Sequence, residues 1–152
     1  MTVDQALYRE LKDDLAAISA PLFELAEQLV RKQGAFLPFG AVMSAGGSVT
    51  LHAGATENDV ASSDEVLPLV QAGVRQAAEP AATAAAVAEW VRIGMDGGAL
   101  VDAVKVHVHH RRGLSVAFYI TARKRLLRGW EFGDTMVQPS EPLVTEWDPP
   151  AA

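Results

Sequence analysis

The sequence predicts an α+β protein, an antiparallel sheet of about five strands with two helices packed on one face, in the order α-β-β-α-β-β-β. Three observations carry this expectation. Leu7, Leu11, Leu15, Ile18, Leu22, Leu25 and Leu29 recur at spacings of four and three, which places them on one face of a helix. Val104, Val106 and Val108 alternate with Lys105, His107 and His109, the period-two pattern of a strand with one face buried. Glycine-bearing breaks at 45–47, 96–98 and 112–113 separate short apolar runs, as hairpin turns do. A helix stripe and a one-sided sheet bury each other, and this arrangement leaves the second sheet face wet.

The elements follow in order. Residues 1–33 read as one helix, kinked at Pro21, which cannot donate to the Ala17 carbonyl. Thr2 and Gln5 form a candidate capping box, and Arg31 and Lys32 precede Gly34, a fitting stop. Residues 35–54 read as a hairpin around Ala45-Gly46-Gly47. In it Val49 and Leu51 face the core, Thr50 and His52 face away, and Pro38 suggests an edge or a bulge. Residues 63–80 read as a second helix capped by Ser62 or Ser63, with Asp64 and Glu65 in its first turn and Val66, Leu69, Val70, Val74 and Ala77 on one face. The alanine-rich stretch 81–90 is ambiguous between helix and strand. Residues 85–122 read as a three-stranded meander, with strands near 85–95, 101–110 and 114–122. Residues 123–152, rich in Pro and Gly, read as an irregular tail pinned by Trp130, Phe132 and Trp147.

The totals bound the function. The 152 residues fit a single domain, 1–152. With no cysteine in the chain, disulfides, thiolate metal sites and cysteine nucleophiles are excluded. The acidic, amphipathic start has no apolar leader, and no apolar run approaches the roughly 20 residues of a membrane span. A soluble, cytoplasmic protein with no membrane association is the expectation. The net charge of −6 argues against general nucleic-acid binding. The charge is nonetheless polarised. Lys105, Arg111, Arg112, Arg123, Lys124, Arg125 and Arg128 fall in a stretch without an acidic residue, which leaves −13 for the rest of the chain. Such a segment can meet an acidic partner, and it can equally be strand-flanking charge that keeps edges soluble.

Three of the four histidines lie in KVHVHH, 105–110. Alternation puts His107 and His109 on one face with Lys105, and His110 on the other. One regular strand therefore supplies at most two metal ligands, and a metal would need a third, such as His52. Lys105 on the same face opposes a cation. We assign no metal site and no cofactor. No nucleophile elbow, phosphate loop or dinucleotide fingerprint is present, so no catalytic residue is assigned. The candidate binding residues are His52, Trp90, Lys105, His107, His109 and Tyr119, grouped on the open sheet face unless the tail folds across it.

Two stretches, Leu25–Leu51 and Val101–Ile120, resemble a family of small bacterial proteins with no established activity. The motif residues are Gly34, Phe36, Pro38, Phe39 and Gly40 after the leading helix, and His110-Arg111-Arg112-Gly113 in a late hairpin. The resemblance carries no catalytic residue across. It implies that an acidic residue is frequent where this chain has His109, which argues against His109 as a ligand. The functional expectation is a protein–protein interaction or self-associating module, with a protein or a second copy (a homodimer) as partner, and immunity-like in size. It would recognise its partner through the basic 105–128 region. The alternative is a small-molecule or metal-binding protein, or an enzyme, that uses the histidine-bearing face.

Overall fold

The computed structural model describes residues 3–53, 62–78, 81–145 and 147. Helix α1 spans Gln5–Gln33, strand β1 Phe39–Met43, β2 Val49–Ala53 and helix α2 Ser63–Ala78. Strands β3 Ala84–Gly94, β4 Leu100–His110, β5 Leu114–Arg125 and β6 Gly129–Pro139 complete the fold. All six strands form one antiparallel sheet in the order β2-β1-β3-β4-β5-β6.

The α+β class and the predicted order hold, with a sixth strand added. The stretch 84–94 is strand, which settles the ambiguity of its alanines. Residues 129–139 of the expected irregular tail pair with β5 as β6. The sequence hides β6 because its burial alternates weakly and Gly133 interrupts it at a bulge, where a Cβ would strike the Thr121 side chain. Positions 1–2, 54, 79–80, 146 and 148–152 of the expected elements lie outside the described residues, Thr2 of the expected capping box among them. The cap of α1 is Asp4, whose Oδ1 accepts from the Leu7 amide at 3.0 Å. Gly34 ends the helix at φ +83, as its place after Lys32 predicts. α1 runs through Pro21 as a single element.

The helices do not share a face. α1 packs Leu11, Leu15, Ile18, Leu22, Ala26 and Val30 against Met43, Ala86, Val106, Val108 and Phe118. α2 packs Val66, Val70, Val74 and Ala78 against Val42, Ala85 and Val87 on the opposite side. β1 and β3 are apolar at both parities, and all of Phe39–Met43 and 84–88 are buried. A strand covered on both faces reads as a continuous apolar run, not an alternating one. That is the physical reason a one-faced sheet was the wrong expectation. Gly40 makes room for α2, since a Cβ there would collide with Val74 and lie 2.9 Å from the Ala86 carbonyl oxygen. β1 is an interior strand, not an edge. Pro38 is buried just ahead of it, where its missing N–H interrupts no ladder.

Candidate functional site

On β4 the odd-numbered side chains lie on the α2 side of the sheet and the even-numbered valines lie against α1. The alternation therefore orients His107 and His109 as expected. The face is not open there. Beyond α2 it is covered by residues 140–145 and 147, which cross β4 and β5 as a strap and bury Leu143, Val144 and Trp147.

The two histidines fasten this strap. His109 Nδ1 accepts from the backbone amides of Leu143 at 3.2 Å and Val144 at 3.0 Å. Two N–H donors on one ring nitrogen require that nitrogen to be unprotonated, so the proton of neutral His109 sits on Nε2. The ring also packs against Trp147 at 4.9 Å between centroids. His107 Nε2 lies 2.6 Å from the Glu141 carbonyl oxygen. A carbonyl can only accept, so Nε2 carries the proton. Burial pushes both histidines down, each from 6.5 to about 4. Lys105 adds to the effect at His107, and the neighbouring histidines add to it at His109. Arg111 closes the strap from the far side. Its guanidinium lies 4.6 Å from the Trp147 ring centroid, and its Nε donates to the Ala82 carbonyl at 2.6 Å.

His110 has the opposite phase and faces α1, where Nε2 meets Asp14 Oδ2 at 2.9 Å and Nδ1 accepts from the Arg112 amide. His52 shares a cross-sheet row with His107 through Gly40 and Val87. Three strand spacings of ~4.8 Å separate them, so they stay roughly 14 Å apart. Among the described residues no three His, Cys, Asp or Glu groups stand together as a metal site.

The other candidates divide as well. Lys105 is half-buried, with Nζ 3.6 Å from Glu89 Oε2. Tyr119 stands between Lys105 and Met136 on the same face. It lines a shallow cleft of about 300 Å³ with Ile93, Met95 and Gln138. Trp90 belongs to the other face, a correction to the expected grouping. Its even parity turns it toward Phe36 at 6.1 Å and Trp130 at 5.8 Å, beside the C-terminal end of α1. Trp130 is held there by Arg31, which donates to its carbonyl. Trp147 alone of the tail tryptophans covers the histidine face.

The basic segment resolves into paired and unpaired charge. Arg112 pairs with Glu10 at 3.0 Å, Arg125 with Glu131 at 2.9 Å and Lys105 with Glu89, while Arg111 is spent on the strap. Arg123, Lys124 and Arg128 have no acidic partner among the described residues. All three lie at the β5–β6 turn. β4 pairs with β5 only as far as Ala122, so 123–125 and 129–131 form a two-stranded end beyond it.

The tip of that end is apolar. Leu126 is 91% exposed and Leu127 98% exposed. The turn closes from the Arg128 amide to the Arg125 carbonyl at 3.3 Å. Leu127 takes φ +66, the one positive φ at a non-glycine among the described residues. A bulky L-residue in this region costs about 1 kcal/mol relative to glycine. The sequence carried a signal for this site. RKRLLRG sets two leucines between basic residues directly before a glycine. The leucines read as a continuing strand because a turn of this kind ordinarily holds Gly or Asn.

No known family, curated protein or solved structure matches the chain.

Proposed function

We propose that this chain is a non-catalytic docking module whose working surface is the β5–β6 hairpin end, and that its partner presents an acidic surface. The observation that carries the reading is the concentration of unpaired positive charge, Arg123, Lys124 and Arg128, beside two fully exposed leucines on a chain of net charge −6. A polarised patch of this kind steers association with an opposite charge and fixes orientation. The rival use of the histidines as ligands is disfavoured by chemistry, because His109 Nδ1 and His107 Nε2 are already engaged by the strap backbone.

Retention on a sulfonate matrix at pH 7 and low salt tests the reading. A uniformly acidic protein flows through. This chain is expected to be retained, to elute as salt screens the patch, and to lose retention in the variant Arg123→Glu/Lys124→Glu/Arg128→Glu. Flow-through of the unmodified protein, or unchanged retention of the variant, contradicts it.

A further inference from the structure

Against the sequence expectation of no membrane association, we infer that the acidic surface met by the hairpin end is the anionic face of a lipid bilayer, with Leu126 and Leu127 entering the headgroup layer; the contact is peripheral, since no helix among the described residues is long and apolar enough to cross a membrane. The inference rests on the docking reading above and adds what lies on the other side.

Four features point to a bilayer. The leucines touch nothing that stabilises the fold, since each is more than nine-tenths exposed. They occupy a turn whose backbone disfavours one of them, so neither folding nor solubility explains the choice of residue. The arrangement is layered: leucines at the apex, then Arg125 and Arg128 flanking them, then Lys124 and Arg123 one step back along β5. A bilayer interface has the same order, apolar interior first and phosphate level second, and apolar burial together with cation attraction is how peripheral segments bind it. Finally, the neighbouring β3–β4 turn lies at the same end of the sheet and adds Leu100, 66% exposed, which lines a cleft with Arg123, Lys124 and Trp130. The C-terminal end of α1 brings Arg31 and Lys32 to this end through the Arg31 contacts with Trp130 and Phe132. The acidic groups nearby are largely engaged, Asp102 with Arg92 and Glu131 with Arg125, and Asp96 stands at the adjacent turn. The body behind is acidic and would be repelled from the same surface, which leaves this end as the favoured contact.

The test is flotation with vesicles of phosphatidylcholine alone and of phosphatidylcholine containing phosphatidylglycerol, at low and at physiological salt. The full chain is expected to bind only the anionic vesicles. Leu126→Ser/Leu127→Asn is expected to weaken that binding at least about tenfold while leaving retention on the sulfonate matrix intact. Each charge neutralisation, Arg123→Gln, Lys124→Gln or Arg128→Gln, is expected to cost about fivefold at low salt. Urea midpoints equal to or above that of the unmodified chain verify that the tip variants fold. Retention on the matrix without vesicle binding overturns the bilayer and leaves the docking reading standing, with an acidic protein as the partner. Vesicle binding that survives loss of both leucines also overturns the inference, because the contact is then purely electrostatic. Failure on both matrix and vesicles removes both readings.

Discussion

Two residues define the chemistry of the histidine face, and both are neutral. His107 and His109 have folded values of about 4 against 6.5 in the unfolded chain. As pH falls below 6.5 the unfolded chain takes up protons that the folded chain refuses, so their contribution to stability is present above 6.5 and is lost as pH falls through 4. Each histidine accounts for up to about 3 kcal/mol over that interval. Urea denaturation between pH 7 and 4 should therefore show a steep loss, reduced in His109→Phe, which cannot titrate. A flat profile would mean that the strap is not fastened in this way. The tip offers a prediction of opposite sign. Leu127→Gly removes the steric cost at φ +66 but adds freedom to the unfolded chain, so it should leave stability unchanged or raise it by about 0.5 kcal/mol. A clear loss would show that Leu127 supports the fold.

At the scale of elements, the strap and α2 share the face that was expected to be open. Trp147→Ala deletes the side chain that bridges His109 and Arg111, and should cost about 3 kcal/mol by urea titration. Ending the chain after Pro139 should return the His107 and His109 titrations toward 6.5, read by NMR, because burial is what holds them down. Unchanged values in the shortened chain would place the cause elsewhere. Gly40→Val should destabilise by several kcal/mol, since its side chain would meet Val74, Val70 and the Ala86 carbonyl.

Much of the element order was legible in the sequence. The Leu7 to Leu29 stripe, the alternation on β4 and the turn glycines each report a local period, and a local period survives without tertiary context. What covers a sheet face is not local. Ala84–Ala88 carry no alternation because both their sides are buried, and nothing in a single strand says which helix lies on which side. The strap was visible only as Trp147 in a Pro-rich tail. Its grip on His109 runs through backbone amides, which have no sequence signature. Leu126 and Leu127 were legible as residues but not as a tip, since the turn overrides their preference.

Over the whole molecule, the acidic body and the basic hairpin end set a dipolar charge distribution that the net charge of −6 conceals. Binding through that end should weaken with salt, and it should not depend on the histidines. The most direct measurement is amide chemical-shift mapping on the labelled full chain at pH 7 while poly-L-glutamate is added as an acidic probe. Shifts confined to 123–131 and the adjoining 96–100 turn are expected, and salt should reverse them. Shifts centred on 107–109 and the strap, with the hairpin end silent, would contradict the hairpin end as the working surface and return the histidine face to that role.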